Sequence, residues 1–133
     1  MIVVDTNIIG YLYLTSKRSV QAEQALLKDT HWAAPLLWRS EFRNVLTLYI
    51  RKEILPLADA IRILEEASTM MQGNEYEVAS LQVMRLAAES TCSAYGCEFV
   101  ALAQDFNIPL VTVDKKVLEN FPNIAIPLDK YVS

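Results

Sequence analysis

Three acidic residues far apart in the chain stand where a parallel α/β fold would gather them. Asp5 closes the apolar run Ile2-Val3-Val4, and Asp114 closes a second one, Pro109-Leu110-Val111-Thr112-Val113. Glu41 lies four residues from both Leu37 and Val45, on the apolar stripe expected of a helix. A carboxylate on such a stripe is costly unless something pairs with it or a cation binds there. Carboxylates are hard oxygen ligands, the kind that hold Mg²⁺ or Mn²⁺ beside water and substrate phosphate. Three of them at one end of a sheet point to phosphodiester chemistry, with water activated for in-line attack on phosphorus. No histidine is needed. The one histidine, His31, has no serine or cysteine signature near it, so a histidine-based hydrolase is not expected.

Each acid also has an ordinary reading. Asp5 and Asp114 both precede a helix, and aspartate caps helix N-termini well. Thr6 or Asn7 could cap the first helix equally, leaving Asp5 to point out of the sheet. Glu41 could pair with Arg39 or Arg43 on adjoining faces. Thr6, Asn7 and Thr112 neighbour the aspartates in sequence and are expected to support them. Asp29, Asp59, Glu65, Glu66, Asp105, Glu119 and Asp129 fall on polar faces or in turns, where solvation explains them.

The elements that must position these residues follow from periodicity and from turn chemistry. After the first strand, Thr6-Asn7 opens a helix to about Leu14, and Ser19 N-caps a second over Val20 to about Lys28. His31-Trp32-Ala33-Ala34 reads as a short strand stopped by Pro35, with His31 at its edge. A long helix follows from Leu36 or Leu37 to about Lys52, and Pro56 starts another reaching about Met71. Gly73-Asn74 ends it. Tyr76-Glu77-Val78 is a candidate extended segment, and Ser80–Glu89 a helix with Leu81, Met84, Leu86 and Ala88 on an imperfect apolar face. Phe99, Leu102, Ala103 and Phe106 recur at helical spacing within a helix from about Ser93, which Asn107 terminates. The Pro109–Val113 strand, a short helix over Lys115–Asn120 and a last strand at Ile124-Ala125-Ile126 complete the order. Short apolar strands alternating with helices indicate a parallel sheet covered on both faces. Ligands of such sheets sit outside the carboxyl ends of the strands, where Asp5 and Asp114 are placed.

Composition narrows the class. A chain of 133 residues suits a single domain over 1–133. Apolar residues at 53% and charged ones at 21% mark a globular protein. No apolar run approaches the roughly 20 residues of a membrane helix, and no basic leader precedes the first strand. A cytoplasmic location is therefore expected. Cys92 and Cys97 match neither a redox pair nor a zinc knuckle, and read as buried thiols. The net charge of −4 means that any nucleic-acid ligand must be drawn by a local patch or a bound metal.

Taken together, these segments resemble the PIN-domain family, and within it the toxin ribonucleases of the VapC type. The matching stretches are Ile2-Val3-Val4-Asp5-Thr6-Asn7-Ile8, then Pro35 followed by Glu41-Phe42-Arg43-Asn44-Val45-Leu46. Later come Ser93-Ala94-Tyr95 with Phe99-Val100-Ala101-Leu102-Ala103, and Pro109–Val113 followed by Asp114-Lys115-Lys116. The resemblance implies a three-layer α/β/α sandwich on a central, mainly parallel sheet. It further implies an acidic pocket holding Mg²⁺ or Mn²⁺, cleavage of RNA, a homodimer and a cognate antitoxin partner. Asp5, Glu41 and Asp114 match three of the family's acidic positions. The fourth departs: where the family reads Tyr-Asp-Ala this chain reads Tyr95-Gly96-Cys97. Glu98 is two residues on, about 200° around a helix, and substitutes only if the helix starts irregularly or the side chain curls back.

For RNA contact, Arg43, Lys115 and Lys116 neighbour the proposed ligands, while Tyr11, Tyr13 and Trp38 are candidates to stack on bases. The helices near Ile8–Leu14 and Leu37–Leu48 carry apolar surface suited to an interface or an antitoxin helix. Two further functions compete. A non-catalytic PIN domain binding RNA or protein would explain Gly96. A phosphatase of the haloacid dehalogenase type shares the strand-end Asp5 but wants a second aspartate where Asn7 stands.

Overall fold

The computed structural model describes residues 1–133. Five strands, β1 (Ile2–Val4), β2 (Trp32–Pro35), β3 (Glu75–Tyr76), β4 (Leu110–Thr112) and β5 (Ala125–Pro127), form one sheet in the order β3-β2-β1-β4-β5. All four pairings are parallel. Every residue of β1, β2 and β4 is buried, as strands covered on both faces must be.

Eight helices do the covering: α1 (Thr6–Tyr13), α2 (Ser19–Lys28), α3 (Trp38–Arg51), α4 (Leu57–Met71), α5 (Ser80–Ala88), α6 (Ala94–Phe106), α7 (Lys115–Asn120) and α8 (Leu128–Val132). They pack in two groups, α1 with α2, α3 and α4 and with α8 on α2, and α6 between α5 and α7. This is the three-layer arrangement expected. Helix α6 is the most enclosed, with Cys97 and Phe99 through Ala103 all buried. A helix apolar on nearly all sides belongs in the core. Its end is set by Asn107, whose left-handed φ of 51° turns the chain while Ile108 N donates to Ala103 O at 3.1 Å.

Several boundaries differ from the sequence reading. Strand β2 runs through Pro35 instead of stopping before it. Ala34 N donates to Asn74 O and Leu36 N to Tyr76 O on the β3 side, and β1 pairs no further than Ala33, so the N–H that proline lacks has no strand to serve. Helix α2 begins at Ser19, whose hydroxyl donates to Leu14 O and accepts from Ser16 N instead of capping the helix. The third strand is Glu75–Tyr76, a residue earlier than expected, because Glu75 registers on Ala34 and Tyr76 on Pro35. On α5 the buried pair is Val83 and Leu86, while Leu81 and Met84 face solvent.

A last helix, α8, follows β5, beyond the final strand that the sequence predicts. Leu128 anchors it, fully buried against the rest of the core. Cys92 and Cys97 are buried free thiols. No helix is long and apolar enough to cross a membrane.

Candidate functional site

Strands β1 and β4 pair directly, Val4 opposite Val111, so their carboxyl ends are neighbours. Asp5 follows β1 at once and Asp114 follows β4 by two residues, which places both at one edge of the sheet. Asp5 itself caps α1, its Oδ1 accepting from Ile8 N at 3.1 Å. That job does not pass to Thr6 or Asn7. Thr6 is buried, and its hydroxyl donates to Glu41 Oε1 at 2.7 Å.

The second oxygen of Asp5 accepts from the Thr112 hydroxyl and from Val113 N at 3.2 Å. Thr112 Oγ1 in turn accepts from Asp114 N at 3.0 Å. Asp114 Oδ1 caps α7 by accepting from Lys116 N at 2.9 Å and Val117 N at 3.2 Å. Both aspartates thus do the capping work that was their ordinary reading. Glu41 forms neither of the ion pairs that were its ordinary alternative. Arg39 pairs with Glu75, and Arg43 donates to Ser40 Oγ at 3.1 Å.

The apolar stripe of α3 is turned from the one read in sequence. Trp38, Phe42 and Leu46 are its buried residues, whereas Leu37 and Val45 are half-buried and Leu48 is exposed. One residue is about 100° of helix. Glu41 therefore stands at the margin of the core and not inside it, where Thr6 and solvent both reach it.

Asp5, Glu41 and Asp114 line a single pocket of about 310 Å³, with Asn7, Asn44 and Gly96 also in its wall. No three Asp, Glu, His or Cys side chains lie close enough to grip one ion jointly. The acids share the pocket without closing on one point. Mg²⁺ keeps several waters and needs only one or two protein carboxylates beside a substrate phosphate. Glu41 Oε2 and Asp114 Oδ2 take no hydrogen bond from the protein. The residues present fit such an ion by donor chemistry.

Burial is the main force on Asp5 and pushes its pKa up, against three hydrogen bonds that lower it; the charge of Asp114 adds to the rise. A cation beside Asp5 would oppose that rise by favouring its ionised form.

Gly96 lines the acidic pocket, on the first turn of α6. Glu98 lines a different cleft, with Val78, Ser80, Val83 and Met84. Its pKa is raised by burial first and then by the charge of Glu41. A Cβ at Gly96 would meet Val117 Cγ2 at 3.4 Å and Ser93 Oγ at 3.6 Å, ordinary contacts. Nothing steric excludes a side chain there.

Among the basic residues, Lys115 and Lys116 are exposed on α7 beside Asp114, and neither lines the pocket. Arg43 lies with Arg39 in a separate polar cleft between α3 and α4. The three aromatic residues marked for stacking are all engaged elsewhere. Trp38 is buried with Nε1 donating to Glu75 at 3.0 Å, Tyr11 takes Arg18 on its hydroxyl and ring, and Tyr13 reaches Glu66 O and Met70. Asn44 and Tyr95 do line the pocket. Asn44 carried a signal, being three residues beyond Glu41 on the same helix side.

Residues 2–124 match the family model described as the PIN domain, and the chain belongs to that family. It is 29% identical over 129 residues to Ribonuclease VapC3 of Pyrobaculum aerophilum, covering 95% of this chain and 98% of that one. Its fold matches the crystal structure of PAE2754 from the same organism with a TM-score of 0.78, at 20% identity over 98% of this chain and 92% of the other. A chain of a toxin-antitoxin complex from Klebsiella pneumoniae matches with a TM-score of 0.69, at 20% identity over 96% and 98%.

Proposed function

We propose that this PIN domain is a Mg²⁺- or Mn²⁺-dependent endoribonuclease of the toxin type, cleaving RNA phosphodiester bonds. The observation that carries the reading is the single pocket that takes Asp5, Glu41 and Asp114 from three distant segments to the carboxyl edge of a parallel sheet. Likeness to a protein named as a ribonuclease over nearly the whole chain supports it. In this reading Asp5, Glu41 and Asp114 are the residues that would hold the ion, Glu41 and Asp114 offering the oxygens free of protein hydrogen bonds. An ion held there would supply Lewis acidity to the scissile phosphate and a more acidic attacking water.

The chain's own groups do the rest. Thr112 and Val113 N orient Asp5, and Thr6 fixes one oxygen of Glu41 so that the other is presented at a set angle. A carboxylate left unprotonated at this edge accepts the proton of the attacking water. Arg43, Lys115 and Lys116 are the cations proposed to meet RNA phosphates outside the pocket. A cognate antitoxin that silences the enzyme, a homodimer and a cytoplasmic setting complete the proposal, supported by the VapC-type resemblance and the fold shared with a toxin-antitoxin complex. Much of the apolar surface expected at an interface is used internally, since Ile8, Ile9, Leu14, Phe42 and Leu46 are core residues. Leu48, Ile54, Leu57 and Ile61 remain exposed around the α3–α4 turn and are the surface proposed for assembly.

Two observations favour a second reading, a PIN module that binds RNA or protein without cutting: Gly96 stands in the pocket wall where the family resemblance implies an aspartate, and no three acids cluster. Mn²⁺ titration with an RNA cleavage assay separates the two. The nuclease reading expects metal-dependent cleavage lost in Asp5→Asn. Activity unchanged by Asp5→Asn and by chelation would end it, while cleavage seen only in Gly96→Asp would select the binding module.

A further inference from the structure

We infer that Tyr95 is a stacking platform for a nucleobase of single-stranded RNA at the rim of the acidic pocket. The inference rests on the RNA-cleaving reading and names how that site holds its substrate. Tyr95 lies on the first turn of α6, which Ser93 caps by accepting from Gly96 N at 3.0 Å. The ring is therefore mounted on a fixed helix start. It lines the same pocket as Asp5, Glu41 and Asp114, and 63% of the residue is exposed.

No other tyrosine or tryptophan is free in this way. Trp32 and Trp38 are buried, and Tyr49 packs against the core. Tyr76 meets Phe106 edge-on, Tyr131 lies under Lys28, and Tyr11 and Tyr13 are engaged as described. Tyr95 has neither a hydrogen-bond partner for its hydroxyl nor an aromatic or cationic partner for its ring. Beside it Gly96 adds only backbone to the pocket wall.

The electrostatics favour such a contact. A chain of net charge −4 with carboxylates lining its pocket repels phosphates until a cation is bound. Phosphate contacts supply most non-specific nucleic-acid affinity, and here no lysine or arginine lines the pocket itself. Base–aromatic stacking is indifferent to that repulsion, and every base offers a π-face to it. A base held on Tyr95 brings the adjoining phosphodiester to the carboxylates.

Fluorescence anisotropy with short single-stranded RNA, in Ca²⁺ to allow binding without turnover, tests this on the whole chain. The probes are an intact strand and strands abasic at each position in turn. Wild type should lose about tenfold in affinity at one abasic position, the fold-change of one stacking contact. Tyr95→Ala should bind the intact strand about tenfold more weakly and lose nothing further at that position, with an unchanged melting temperature. Tyr95→Trp should bind like wild type. Equal binding by Tyr95→Ala and wild type, or the same abasic penalty in both, overturns the inference while leaving the nuclease reading intact. A wild-type chain that neither binds nor cuts RNA overturns both.

Discussion

The Thr112 hydroxyl donates to Asp5 while its oxygen accepts from Asp114 N at 3.0 Å, so one buried side chain joins the ends of β1 and β4. Thr112→Val keeps the shape and removes both bonds. It leaves Asp114 N without its partner and Asp5 with one donor fewer in a buried setting. A destabilisation of about 1–3 kcal/mol is expected, read from urea denaturation, with Thr112→Ser near wild type. A Thr112→Val protein as stable as wild type would show that the hydroxyl link contributes nothing.

Gly96→Asp is expected to fold and to bind Mn²⁺ more tightly. The added Cβ meets only ordinary contacts, and a further hard oxygen ligand joins the pocket. Calorimetric titration of both proteins with Mn²⁺ checks it. Equal affinity would mean that position 96 does not reach the ion.

Glu98 gives a pH signature. Burial first, and Glu41 second, raise its pKa in the folded protein. The unfolded chain, with a glutamate value of about 4.3, then releases this proton before the folded one does. Stability from this group is therefore full below that value, falls as pH rises to the folded pKa, and stays lower above it. Glu98→Gln should match wild type at about pH 4 and exceed it in denaturant midpoint at about pH 7. A variant weaker than wild type at neutral pH would contradict the repulsion.

Both thiols should resist chemistry. Burial raises the pKa of Cys92 and of Cys97, which disfavours the reactive thiolate. Neither is expected to alkylate with iodoacetamide at neutral pH until the fold opens in denaturant, as mass spectrometry would report. Rapid labelling of native protein would count against the packing around α6.

Helix α8 should matter to the fold despite its five residues. Leu128→Ala removes a fully buried side chain and is expected to cost about 2–5 kcal/mol by urea denaturation. A loss under about 1 kcal/mol would mean that the site collapses around the gap.

Local pattern was enough to place most elements and the two aspartates. Short apolar runs ending in Asp5 and Asp114, separated by helices, specify parallel strands whose carboxyl ends meet, because chain reversal through a helix admits little else. The ends of elements were harder. Pro35 stays in β2 only because of which neighbour lies on each side, and α8 is too short for its periodicity to register. On α3 and α5 several apolar residues compete for the inward face, and a turn of about 100° separates one choice from the next.

By itself, then, the chain determined a parallel α/β sheet with a carboxylate at the end of each of two strands. These are consequences of spacing between near neighbours, which the backbone's own geometry enforces. Tertiary structure alone decided the order β3-β2-β1-β4-β5, the donation from Thr6 to Glu41 across 35 positions, and that from Thr112 to Asp5 across 107. It also decided that Trp38 is buried and Tyr95 is bare. Partners so distant along the chain meet only through packing, and no periodicity in the sequence encodes which of several similar side chains will find cover.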